Sequence, residues 1–211
     1  LLGNGKTSQV DIRGFGEACV SNVLVLVDGR RTNQIDISGT DWLQIDLDSI
    51  ERIEISRGSG TVLYGDNATA GVINIITKSG MGTPKTIFKA KYGNYHYYSY
   101  SGNFSGGNDF LDYFVSFSNF KTNGYRKNNA LLSTDVNGNF NIKPNDFLNI
   151  KLLGGYHKDF YGQPGSLSVT KLAELGRRGA TYLYDRAKTE DWFTTISPDI
   201  KISSNIGNAD L

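Results

Sequence analysis

Three kinds of side chain here have the chemistry to ligate, to attack or to cradle, and their spacing decides against each. His96, His157 and Cys19 are the best metal ligands present, and they are not spaced as a metal site. One cysteine excludes an internal disulfide and any cysteine-based zinc cluster. No Ser/His/Asp arrangement with motif context occurs, so no catalytic residue is assigned. The Gly58–Gly71 segment invites a phosphate-loop reading and fails on spacing. A dinucleotide fingerprint needs G-x-G-x-x-G, and Leu63 stands at the third glycine position. The Gly-Lys-Ser/Thr of a phosphate loop is missing as well. The expectation is a chain with no enzymatic activity, no cofactor and no bound metal.

Two kinds of element must position whatever chemistry remains. In the first eighty residues, Val23 to Val27 is an aliphatic run closed by Asp28 and Gly29, the pattern of a buried strand ending in a turn. Residues 46–50 read as one helical turn with Asp46 or Asp48 near its start. From Glu51 to Ser56 the pattern alternates, with Ile53 and Ile55 opposite Arg52 and Glu54, which predicts a half-buried strand. Val72 to Thr77 is another β-rich run. The unit reads as α+β, with short strands and long glycine-bearing loops.

From Lys85 onward the period is two. Leu132, Thr134, Val136, Gly138, Phe140 and Ile142 alternate with Ser133, Asp135, Asn137, Asn139 and Asn141. Similar runs start near Thr86, His96, Leu111, Leu148 and Trp192 and extend to Ile202 and Ser203, about six strands near the 9–11 residues that cross a bilayer. Short turns at 105–109 and 143–146 alternate with long polar segments at 121–130 and 162–191, the habit of outer-membrane barrels. Tyr92, Tyr98, Tyr156, Tyr161 and Trp192 fall where an aromatic girdle would sit. A soluble antiparallel sheet alternates too, but its Asn137, Asn139 and Asn141 face would be the wet one.

Composition agrees. The 211 residues include 25 Gly, 12 Tyr and 11 Phe against 4 Pro, which suits an all-β protein with many tight turns. A net charge of +1 gives no basic face for nucleic acid. No apolar run approaches the roughly 20 residues of a membrane helix, which leaves a barrel open. The chain begins without an initiator Met or a signal peptide and ends in a turn-like run, so it is expected to be part of something longer.

Several motifs carry a family resemblance. Val25 to Arg31 followed by Leu47 to Gly58 resembles the plug domain of TonB-dependent outer-membrane receptors, and so does Val62 to Lys78. Ile12-Arg13-Gly14-Phe15 matches an earlier plug motif of the same family. The matches keep order and spacing over about the first eighty residues. The resemblance implies a membrane all-β fold: a 22-stranded transmembrane barrel, with about its first six strands in this chain, around an α+β plug. It divides the chain into a plug at 1–82, lacking its N-terminal part, and barrel strands at 83–211. It implies active uptake, across the bacterial outer membrane, of a scarce bulky nutrient such as a ferric siderophore or a cobalamin-type ligand. The partners it implies are the inner-membrane TonB complex, through a TonB box not present in this chain, outer-membrane lipid and lipopolysaccharide. The alternatives are a non-transporting surface receptor or adhesin, and a soluble β-rich binding module.

The resemblance also assigns residues. Gly14, Gly58, Gly65 and Gly71 are plug-motif glycines at tight turns or close backbone approaches. Arg13 and Arg57 match the plug arginines that pair with barrel glutamates, here expected beyond Leu211. Plug apices are expected at 15–22 and 33–43. In the second, Asn33, Gln34, Ser38, Thr40, Asp41 and Trp42 offer hydrogen bonds and one stacking surface to a substrate. Residues 171–178 are expected to form a short helix ending at Gly176 or Gly179, followed by a basic pair, Arg177 and Arg178.

Overall fold

The computed structural model describes residues 6, 8–35, 39–80 and 82–201. The first sheet is built from Val23–Val27 (β1), Arg30–Arg31 (β2), Ile50–Arg57 (β3) and Gly71–Thr77 (β4), with a four-residue helix, Thr61–Tyr64 (α1), between the last two. Its order is β2-β1-β4-β3, and the central pair β1 and β4 is parallel. That pair is aliphatic along β1 and, apart from Asn74, along the interior of β4, because both of its faces are covered. Val23, Val25, Ala70, Ile73 and Ile75 pack on one side; Leu24, Leu26, Ala68 and Val72 pack on the other. The Asp28 carboxylate ties the two strand ends together by accepting from Thr77 N at 3.1 Å and Thr77 Oγ1 at 2.5 Å. Asp46 caps the turn Leu47–Ser49 by accepting from Asp48 N at 3.0 Å, as the sequence leads one to expect.

The second sheet is an antiparallel meander in strict chain order: Lys85–Gly93 (β5), Tyr97–Gly107 (β6), Leu111–Thr122 (β7), Leu131–Asn145 (β8), Leu148–Gly162 (β9) and Arg186–Ile200 (β10). Its polar face is the buried one. Ser133, Asp135, Asn139 and Asp159 are buried, whereas Phe88 is 73% and Trp192 78% exposed on the opposite face. A soluble sheet has this arrangement reversed. The polar face is covered by the first sheet and its loops. Asn139 Nδ2 donates to Lys78 O at 3.2 Å, and Asp48 accepts from Lys89 Nζ at 2.5 Å and Ser101 Oγ at 2.9 Å. Gln44 Nε2 donates to Asp191 Oδ2 at 2.7 Å.

Residues 108–110 and 146–147 close one end of the sheet. Residues 94–96, 123–130 and 163–185 lie at the other, so both long connections are together. The longest carries Val169–Leu175 (α2), capped by Ser168 and ended by Gly176 at φ 69°.

Four expectations need correction. β10 begins at Arg186 rather than near Trp192, because its first residues carry charges on both faces and so imitate a loop. β8 runs to Asn145 through an irregular register after Ile142, absorbing most of the expected 143–146 turn. β3 is an edge strand of its sheet with both faces open among the described residues: Ile53 is 53% exposed. Tyr161 turns toward the buried side by parity, where its ring lies 5.0 Å from Lys6 Nζ, so it does not join an outer girdle. Ile202 and Ser203, expected on the last strand, lie outside the described residues.

Candidate functional site

Strand direction brings three loops of the first sheet to one end. β1 and β4 run in parallel toward Asp28 and Lys78, which meet the lower half of the wall: Asp28 lies 3.6 Å from Lys151, and Lys78 meets Asn139. The loops at their opposite ends, residues 13–22, 33–40 and 58–70, therefore lie toward the long connections of the second sheet. Asp41 sits level with Asp159, close below the upper end of β9.

The 33–40 segment is a hairpin closed by the Asn33–Thr40 bridge, with Gln34 N donating to Gly39 O at 3.0 Å. Its side chains divide by role. Asn33 is committed to the fold: Oδ1 accepts from Val25 N at 2.8 Å and Nδ2 donates to Val23 O at 3.0 Å. Thr40 and Asp41 are buried. Trp42 packs on the Val23–Ile75 cluster, and its indole N–H donates to Ser8 O at 2.7 Å. Gln34 and the fully exposed Ile35 form the outward tip. Ser38 lies outside the described residues. The sequence groups these six as one row of contacts; the structure spreads the five described ones between tip and support.

The support has a second layer that sequence reasoning missed. Lys6 Nζ meets Asp41 Oδ2 at 2.5 Å, donates to Thr189 Oγ1 at 2.9 Å and pairs with Asp159. Burial alone pulls this ammonium down. Hydrogen bonds to Asp159 and Asp41, and their charges, outweigh that and hold Lys6 above its ordinary value. His157 lies between Asp159 Oδ2 at 3.1 Å and Asp135 Oδ1 at 2.6 Å. Asp41, His157 and Asp159 place ligand atoms within 4.8 Å of one another. The Lys6 ammonium binds two of them, filling the role a cation would have. The one sequence signal was parity: His157 and Asp159 fall on the polar face of β9, with Asp135 on that of β8.

Arg13 and Arg57 are exposed, and among the described residues neither has an ion pair. Glu51 and Glu54 are engaged by Arg52 instead, at 3.3 and 2.8 Å. Gly14, Gly58 and Gly65 have φ of 75°, 135° and 75°, and a Cβ on Gly71 would stand 2.7 Å from Ser56 O. The long connections pack together. Arg178 donates to Tyr125 O at 3.1 Å and lies 5.9 Å from the rings of both Tyr95 and Tyr125, while Arg177 is exposed.

A wall that is polar toward a packed plug and aromatic toward the outside is the geometry of a plugged membrane barrel. Residues 2–72 match the family described as TonB-dependent Receptor Plug Domain. Those residues belong to the plug domains of TonB-dependent receptors. The vitamin B12 transporter BtuB of Photobacterium profundum is 28% identical over 207 residues, covering 91% of this chain and 33% of that protein. Among solved structures, the ferric yersiniabactin uptake receptor FyuA from Yersinia pestis superposes with a TM-score of 0.75 at 20% identity, over 95% of this chain and 33% of that one. The unliganded ferric citrate transporter FecA gives 0.74 at 20% identity, over 96% and 33%. The chain thus spans about a third of the length of these relatives. Its first sheet is receptor plug, its second is receptor barrel wall, and its place is the bacterial outer membrane.

Proposed function

We propose that this chain supplies the plug, residues 1–82, and the first wall strands, residues 83–211, of an active transporter for a ferric siderophore or cobalamin-type ligand. The observation that carries this reading is the gathering of three plug loops at the long-loop end of a membrane wall. A ligand arriving from outside meets that end first. Gln34 and Ser38 offer polar contacts at the hairpin, while Asn33, Thr40, Asp41 and Trp42 hold its shape from beneath. Arg13 and Arg57, exposed on the plug, anchor it to wall strands beyond this chain by charged hydrogen bonds. The inner-membrane TonB complex supplies the energy through a segment preceding residue 1, and lipopolysaccharide surrounds the outer half of the wall. The role is binding and transport rather than catalysis.

The test is complementation. The full-length gene, expressed in a Gram-negative strain lacking its own siderophore and cobalamin receptors, should restore growth on one of those nutrients when TonB is present. Growth equally restored without TonB would overturn energised transport. No uptake of any nutrient by a correctly inserted protein would favour a surface receptor.

A further inference from the structure

Strand register orders the lipid-facing side of β5–β10 into rows. One row runs Tyr98, Lys121, Leu132, Phe160, Lys188. The next row down includes Thr134, Lys158 and Glu190, and the one below it Phe117, Val136, Tyr156 and Trp192. With Arg186, one step above Lys188 on the same face, these rows hold every charged residue that parity puts on the outward face among the described strand residues. All five lie at the long-loop end. Glu190 is neutralised locally by Lys188, and it accepts from Tyr156 Oη at 3.0 Å. Lys121, Lys158 and Arg186 have no acidic ion-pair partner among the described residues, and all three are exposed. The Arg186 guanidinium stands 5.8 Å from the Phe160 ring.

Height fixes what these cations face. From Leu148 to Lys158, β9 climbs roughly 25 Å along the membrane normal, at ~3.3 Å per residue and ~40° tilt. That is about the height of the apolar band on such barrels. The cations therefore stand at the upper edge of the band, where the acyl region gives way to headgroups. Being on the long-loop side, they meet the outer leaflet. Lys158 and Lys188 are diagonal neighbours across β9 and β10, ~7–8 Å apart, within reach of one phosphate by flexible side chains. Lys121 lies three strand spacings from Lys188, ~14 Å. A single phosphodiester cannot engage both ends of that row, whereas a headgroup with several phosphates can. Leu132 and Phe160 between them leave an apolar strip for an acyl chain.

We propose that Lys121, Lys158 and Arg186, flanked by Lys188 with its partner Glu190, form a binding surface for the phosphate groups of lipopolysaccharide on the outer wall of the receptor. This rests on the reading of the chain as part of an outer-membrane barrel with lipopolysaccharide around it. The test uses the full-length receptor in phospholipid nanodiscs, titrated with bis-phosphorylated lipid A, with phosphate-free lipid A and with phosphatidylglycerol. The unmodified receptor should prefer bis-phosphorylated lipid A. The triple variant Lys121→Gln, Lys158→Gln, Arg186→Gln should bind it roughly a hundredfold more weakly, about fivefold per cation. The swap Lys158→Arg should retain binding. Equal affinity for phosphate-free lipid A, equal affinity for phosphatidylglycerol, or an unaffected triple variant would each overturn the proposal. Heat-modifiable gel migration is measured alongside. A receptor that folds as a barrel but ignores phosphate refutes this surface alone, whereas one that never forms a barrel refutes the reading beneath it.

Discussion

Lys6 places one ammonium between carboxylates from two different units, Asp41 of the plug and Asp159 of the wall, all buried. Removing the cation leaves two buried charges facing each other, which is far costlier than removing the whole set. Lys6→Met is therefore expected to destabilise the docked plug by about 3–5 kcal/mol. Adding Asp159→Asn to that variant should recover part of the loss. Urea unfolding of the full-length receptor in vesicles, followed by Trp fluorescence, measures both; an unchanged midpoint for Lys6→Met would refute the latch. Asp48 gives a second, pH-dependent contact. Burial pushes its carboxyl up, but hydrogen bonds from Lys89 and Ser101 and the charges of Lys89 and Lys91 outweigh this and hold it below the ordinary carboxylate range. A depressed value means the contact contributes fully above the unfolded carboxylate value, about pH 4, and is lost as pH falls through the folded one. Asp48→Asn should flatten that acid limb of the stability profile, lowering stability most at neutral pH and least in acid. Neither contact was legible in the sequence. Lys6 lies in a polar run without periodicity, and its wall partner comes 153 positions later.

Elements were more legible, because period and turn chemistry are local. β1 and β4 announced themselves as aliphatic runs, and Gly176 ends α2 as expected from the sequence. Leu24, fully buried in the cluster with Leu26, Ala68 and Val72, should cost about 2–5 kcal/mol as Leu24→Ala, read by the same urea titration. Where the sequence misled, tertiary context was the cause. Beyond Ile50, which packs on the core, β3 has the alternation of a half-buried strand, yet Ile53 and Ile55 are exposed among the described residues. The start of β10 looked like loop because its charges serve the membrane edge on one face and the plug on the other. The linker after β4 was also silent: a Cβ on Gly80 would stand 1.8 Å from Tyr113 O, so this backbone lies flush against β6 and β7. Gly80→Ala should force the linker off the wall at about 1–3 kcal/mol, the usual cost of overpacking. A lowered urea midpoint with an intact barrel signature is the expected reading, and an unchanged midpoint would mean that the linker yields freely.

At the scale of the molecule, polarity is inverted relative to a water-soluble sheet, and this inversion is what alternation alone could not reveal. A period of two marks two unlike faces; it does not say which one meets the solvent. The plug decides it, by burying Ser133, Asp135 and Asp159 and leaving the aromatic face uncovered. Neighbouring positions on β7 turn this into a paired prediction. Val115 lies on the outward face in the row with Phe104 and Gly138, near mid-height, while Ser118 faces the plug three residues later. Val115→Arg places a cation against acyl chains and should cost about 2–4 kcal/mol in a bilayer. Ser118→Ala, on the polar side with no hydrogen bond to lose among the described residues, should cost less than about 1 kcal/mol. On a water-facing surface the first change would be nearly neutral as well. Urea titration of the full-length receptor folded into vesicles separates the cases: a large drop confined to Val115→Arg is expected, and equal tolerance of both would place the aromatic face in water.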